Sequence, residues 1–278
     1  MRINRKLIKY KKTNNVSNPK ELYITCEFRD RFGNNMFQIA NVCMLSKKYK
    51  TKLVFNTWKY SDLFEWDILF DSNLFNSIKW NHYLEKSFRY NNIVYNGGNV
   101  KFHGYYQSYK YLDEIFIKSI FKIKDNIIQN ILDKYNYIFS RKTTSIHVRR
   151  TDYLYDNDHP FIGNEYYNEA MQKMNSITDL YVVFSDDIEW CKHNITSREK
   201  EMLYIENNPD YIDLFLMSMC DNNIIANSSF SWWGAYLNRN PYKIVITPNP
   251  KEWFTPKSPS YDKTFDLCPE NWMIMDNT

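Results

Sequence analysis

At 278 residues, with 44% hydrophobic and 18% aromatic content, the chain can bury one large core or two linked cores of roughly 100–150 residues, which excludes wholesale disorder. A net charge of +4, with lysines and arginines interleaved among acids, offers no basic stripe for a nucleic-acid duplex. No stretch approaches the ~18 apolar residues of a spanning helix, so a small anionic molecule fits the chain better than nucleic acid or a lipid interior.

Residues 1–20, opening MRINRKLIKYKK, are expected to form a mobile basic tail that at most grazes an anionic membrane. They lack the apolar segment of a signal peptide, and a cytoplasmic location follows as an expectation. The five cysteines, Cys26, Cys43, Cys191, Cys220 and Cys268, are scattered and without C-x-x-C spacing, which fits reduced thiols better than disulfides or zinc. After the tail, LYITCEF (22–28) predicts a strand, RDRFGNN a turn, MFQIANVCMLSKKY a helix and KLVFN (52–56) a second strand. Residues 57–110 are irregular and crowded with aromatic side chains, suited either to core packing or to stacking sugar rings, and no element is assigned there. Residues 111–138 carry Ile and Leu at helical spacing.

A change of texture near residues 138–143 divides the chain into a 21–140 domain and a 141–278 domain. In the second, the strands TSIHVRR (144–150), LYVVFSDD (180–187), NIIANSS (223–229) and KIVITP (243–248) alternate with the helical segments EYYNEAMQKMN, IEWCKHN, DYIDLFLMSMC and FSWWGAYLN. That alternation predicts an α/β domain with a parallel sheet, whose ligands bind beyond the carboxyl ends of the strands. The polar clusters sit at those ends.

Period two in SIHVRRTDY sends His147 and Arg149 to one face and Val148 and Arg150 to the other. A guanidinium fork suits phosphate oxygens, so one arginine can face a ligand while the other braces the loop; an Arg-Arg pair bridged to Asp152 is the plainer alternative. In FSDDIEW, Ser185, Asp186 or Asp187 can cap the next helix, and two adjacent aspartates alone are a weak metal signature. NSSFSWWGAYLN places Ser228, Ser229 and Ser231 at a helix start, a ready anion site, with Trp232 and Trp233 better read as core. Asp213 stands alone in an apolar helix and needs a partner, which a guanine edge, a cap or a salt bridge would each supply. Gly33 in RFGNNMFQIA brings backbone close to the cleft but falls short of G-x-G-x-x-G, which argues against an NAD site; a P-loop is also absent.

FGNNMFQIA, HVRRTDY, VFSDDIEWCK and NIIANSSFSWWGAYLN together resemble, in order and spacing, the motif set of glycosyltransferase family 11, the α-1,2-fucosyltransferases. The resemblance covers about residues 22–255. It implies an α/β fold of the B type, two Rossmann-like domains facing across a cleft, with the 21–140 domain on the acceptor side and the 141–278 domain holding GDP-L-fucose. It also implies that Arg149 clamps the pyrophosphate, His147 and Asp213 contact the guanine side, Ser229 and Ser231 donate to phosphate, Asp186 lies near the nucleotide and Arg150 braces the site. Gly33, Asn34 and Gln38 match the family's cleft-facing turn, although Asp30 and Phe32 replace its usual Gly and Leu.

The activity so implied is inverting transfer of L-fucose from GDP-β-L-fucose to the 2-hydroxyl of a terminal β-galactose, with no cofactor and no metal. Arg149 and the helix amides would stabilise the leaving group, Arg149, Arg150 and Asp152 make up the catalytic set, and Asp152, Asp156 and Asp158 are the carboxylates near enough in sequence to act as base. A fucosyltransferase of other linkage or acceptor and a non-catalytic nucleotide- or glycan-binding module are the alternatives.

Overall fold

The α/β alternation resolves, in a computed structural model that describes residues 21–276, into two all-parallel sheets, one in each half of the chain. The tail expected over residues 1–20 lies outside the described residues. The first sheet holds β1 (Tyr23–Cys26), β2 (Lys52–Phe55), β3 (Leu69–Phe70), β4 (Asn81–Leu84) and β5 (Val100–His103), in the order β3-β2-β1-β5-β4. Helix α1 (Phe32–Tyr49) crosses from β1 to β2, and α2 (Ser72–Ser77), α3 (Glu114–Ile120) and α4 (Asp125–Tyr135) follow. The second sheet holds β6 (Thr143–Val148), β7 (Leu180–Ser185), β8 (Glu201–Tyr204), β9 (Asn222–Ile224), β10 (Val245–Pro248) and β11 (Met273–Met275), in the order β11-β10-β9-β6-β7-β8. Its helices are α5 (Asn164–Met174), α6 (Ile188–Asn194), α7 (Asp210–Met219) and α8 (Ser229–Leu237).

Central strand β7 explains how the second sheet divides its packing. Leu180, Val182 and Phe184 join a large apolar cluster with α1, α7, α8 and the first sheet, while Tyr181 and Val183 join a smaller one with α5 and Cys191 of α6. A strand buried on both faces is apolar throughout, which is why β7 stands out in the sequence. Edge strands β8 and β11, and short β3 and β4, have no such run and escape pattern reading. The helical stretch over 111–138 is two helices, because the chain extends between them and Ile123 pairs with Phe64 in an isolated bridge.

The two halves meet where α1 crosses the start of α8. Asp30 takes a left-handed φ of 59°, the conformation that a glycine at this position would adopt without strain, and α1 then begins at Phe32 rather than Met36. Gly33 is therefore helical. A Cβ there would lie 2.7 Å from the Ser229 carbonyl carbon, and Trp233 Nε1 donates to the Gly33 carbonyl at 2.9 Å. Near the carboxyl end the chain crosses back over the first half. There the Tyr90 amide donates to Asp266 Oδ2 at 2.7 Å and Arg89 Nη2 to the Asp262 carbonyl at 2.8 Å, before β11 completes the second sheet. Among the described residues no helix is long and apolar enough to cross a membrane.

Candidate active site

Strands β6, β7 and β9 end on a cleft of about 850 Å³, closed on the far side by the turn before α1 and by residues near Phe254. Period two along β6 decides what reaches it. His147 and Arg149 line the cleft; Ile146 and Val148 go into the core under α5. Arg150 follows Val148: its guanidinium carbon lies 4.8 Å from the Trp190 ring centre and it pairs with Asp187.

Arg149 is held from two sides. Nη2 meets Asp152 at 2.7 Å and Nη1 meets Asp186 at 3.0 Å, while Arg31 of the first half reaches the same Asp152 at 3.2 Å. Asp186 also accepts from the Arg150 amide at 2.9 Å and the Thr151 hydroxyl at 2.5 Å. Burial alone would raise the Asp186 carboxyl, but the Thr151 hydroxyl, Arg149 and the Arg150 amide outweigh it and hold the group below its ordinary range. Asp187 caps α6 through the Trp190 amide at 3.3 Å. Both adjacent aspartates thus answer to protein donors, and among the described residues no group of three His, Cys, Asp or Glu is placed to hold a metal ion.

Ser228, Ser229 and Phe230 bring the start of α8 to the same cleft as Arg149, and the helix presents amides and the positive end of its dipole there. Deeper in, His147 is 4% exposed, its Nδ1 has no partner among the described residues, and its ring lies 5.5 Å from that of Phe230. Burial, partly opposed by Asp186, lowers its pKa to about 4, so the imidazole is neutral at neutral pH. Asp213 of α7, which also lines the cleft, is raised to about 6, by burial against the pull of Asn208 and Lys134. Asn208 Nδ2 donates to Asp213 Oδ1 at 2.8 Å and is itself fixed by Lys134 at 2.7 Å, leaving Oδ2 of Asp213 without a donor among the described residues. A half-buried carboxylate with one unmet oxygen and a neutral imidazole with one unmet nitrogen, lining the same cleft, suit a polar planar ligand.

A family profile described as glycosyl transferase family 11 matches residues 2–267. The chain belongs to glycosyl transferase family 11. It is 34% identical over 192 residues to the alpha-1,2-colitosyltransferase of Escherichia coli, a match that covers 63% of this chain and 62% of that one, under two thirds of the relative's length. It is 29% identical over 256 residues to the O-antigen biosynthesis glycosyltransferase WbnK of Escherichia coli, covering 84% of this chain and 82% of that one. The fucosyltransferase NodZ from Bradyrhizobium superposes with a TM-score of 0.57 at 14% identity, covering 78% of this chain and 93% of that chain. POFUT1 in complex with GDP also superposes with a TM-score of 0.57 at 14% identity, covering 83% and 98%. The likeness to these structures is one of fold, the two-sheet B-type architecture.

Within this family 11 fold, His147, Arg149, Asp152, Asp186, Asp213, Ser229, Gly33 and Asn34 come together on the cleft. Three expected residues do not. Ser231 is fully buried with its hydroxyl turned to the Ser228 carbonyl, because the α8 positions after the first turn face the core. Gln38 is fully buried one turn into α1, where its Oε1 accepts the Arg29 amide at 3.1 Å and shapes the turn from beneath. Arg150 braces β6 against α6, as described above. Asn34 is the turn residue whose side chain is anchored at the cleft, with its Oδ1 accepting from Gln107 at 2.7 Å.

The remaining wall was not foreseen. Tyr153, His159, Phe254, Phe88 and Tyr105 form a continuous run of rings along the cleft, with successive centres 4.8, 4.8, 5.1 and 5.5 Å apart. These residues come from four separate segments, so no local pattern announces them. Of the aromatic-rich 57–110 region, Phe88 and Tyr105 reach the cleft whereas Trp58 and Phe64 are core.

Proposed function

We propose that the protein is an inverting galactoside α-1,2-fucosyltransferase, moving L-fucose from GDP-β-L-fucose to the 2-hydroxyl of a terminal β-galactose. The observation that carries this is Arg149, presented on the same cleft as the start of α8 and preset by two carboxylates. In this reading guanine meets Asp213 and His147, the diphosphate bridges Arg149 and the first α8 amides, and fucose points toward Asn34. The second half is the donor side. The first half, which supplies Phe88 and Tyr105 to the aromatic wall, is the acceptor side.

An acceptor oxygen attacks C1 as the C1–O bond to the diphosphate breaks, and the departing electron pair settles on the β-phosphate. Attack from the face opposite the leaving group converts the β-linked donor to an α-linked product. Arg149 and the helix amides meet the growing charge without reorganisation, the kind of donor whose loss costs on the order of 10²–10³ in rate. Asp152 occupies Arg149 in the resting protein, and the diphosphate takes its place.

Turnover in this scheme needs no divalent cation, supported by the engagement of Asp186 and Asp187 with protein donors. Full activity in EDTA is the expected result, and strict magnesium dependence would contradict it. Transfer is tested by following GDP release from GDP-fucose with and without a panel of β-galactosides. Acceptor-dependent release supports the enzyme; GDP binding without release identifies a binding module. The identity to a colitosyltransferase favours one second reading, a colitosyl donor, and GDP-colitose offered in parallel decides between the two sugars.

A further inference from the structure

Beside Arg149 the cleft carries a second charged pair. His159 Nδ1 lies 2.7 Å from Asp156 Oδ2, and both residues line the cleft. A carboxylate can only accept, so with Asp156 ionised the Nδ1 carries the proton, and in the neutral imidazole Nε2 presents a lone pair. Nε2 makes no hydrogen bond among the described residues. Asp156 is fixed in its turn by the Asp158 amide at 2.7 Å, and this amide and His159 together outweigh burial to keep the carboxyl below its ordinary range.

The ring is held as firmly as the carboxylate. It stacks on Tyr153 at 4.8 Å and 18° and packs against Phe254 at 4.8 Å. Tyr153 in turn lies under the Arg149 guanidinium, 5.6 Å from ring centre to carbon, and donates its hydroxyl to the Asn227 carbonyl at 3.1 Å. The imidazole is thus one ring removed from the arginine, on the side where the aromatic wall begins.

We propose that His159, oriented by Asp156, takes the proton of the acceptor hydroxyl. The inference rests on the transfer reaction proposed above. As the acceptor oxygen bonds to C1 of the donor sugar, its O–H proton passes to Nε2, and the C1–O bond to the diphosphate breaks with its electron pair going to the β-phosphate. The imidazolium so formed is stabilised by the Asp156 carboxylate. The charged and titratable groups around it are Asp156 itself, Asp158, Tyr153, and Asp152 with Arg149 beyond the tyrosine; the cleft-lining residues of the 253–260 segment add none.

His159→Ala is expected to lower acceptor-dependent GDP release about 10²-fold, the lower end of general-base contributions, with GDP binding by calorimetry unchanged. Added imidazole then restores turnover. Pyrazole, which has the same shape and is scarcely basic, does not. His159→Gln keeps the bulk between the two rings and is expected to show the same loss, and Asp156→Asn a smaller one of about tenfold. Turnover within about threefold of wild type, equal rescue by pyrazole, or loss of GDP binding in His159→Gln would each overturn the assignment. If the wild-type protein releases no GDP with any β-galactoside, the transfer reading itself falls and this inference with it.

Discussion

The two walls of the cleft are built on different principles. On the second-sheet side the charged groups around Arg149 are each answered more than once: Arg149 by Asp152 and Asp186, Asp186 by Arg149, Thr151 and the Arg150 amide, Arg150 by Asp187 and the Trp190 ring. On the facing side stand the ring faces of Phe88 and Tyr105 and a turn whose tightest residue, Asp30, is left-handed. A wall of interlocked charges is preorganised for one ligand geometry, whereas a wall of ring faces accepts any sugar with an apolar side. The donor is therefore expected to be narrowly specified and the acceptor more broadly.

The largest effect expected from breaking this contrast is at Arg149. Arg149→Ala lowers turnover on the order of 10²–10³-fold, about 3–4 kcal/mol of transition-state stabilisation, while thermal melting is little changed. Next comes the seam between the walls. Gly33→Ala pushes a methyl group into the Ser229 backbone at 2.7 Å, and overpacking of this kind costs about 1–3 kcal/mol, read as a lowered melting temperature together with weaker GDP binding.

Asp213 sharpens the comparison through pH. Its folded pKa of about 6 lies above the ~3.9 of an unfolded aspartate, so the stability it contributes is complete below about pH 4 and lost as pH rises through 6. Asp213→Asn is accordingly expected to raise the melting temperature at pH 8 while weakening GDP binding about tenfold, since a hydrogen bond to a charged group contributes ~1.5–3 kcal/mol. Calorimetric titration with GDP checks the second half of that statement. The smallest effect belongs to the aromatic wall: Phe88→Leu raises the acceptor KM about two- to fivefold, the worth of a ring face at ~0.5–1 kcal/mol, and leaves GDP affinity alone.

The same contrast governs what the sequence discloses. Strands β6 and β7 are runs of buried residues whose ends carry His147, Arg149 and Asp186, so fold and chemistry share one short stretch of chain. Alternation along β6 was enough to separate Arg149 from Arg150. Alternation could not reveal that Ser231 turns inward, since that depends on how α8 lies against α1, nor that Gln38 works from beneath the turn. Gly33 was legible as a close approach, yet its neighbour is the α8 backbone, a contact across 196 positions that no local rule contains. His159 and Phe254 stayed hidden for the same reason, as they meet only through the return of the chain's last segment.

The most direct test of the account is the linkage and anomeric configuration of the sugar that the wild-type protein transfers from GDP-β-L-fucose to a β-galactoside, read by NMR. The account predicts an α-anomeric fucose on the galactose 2-hydroxyl, formed from the first turnover. A β-linked product, or fucose attached at another position, would contradict it.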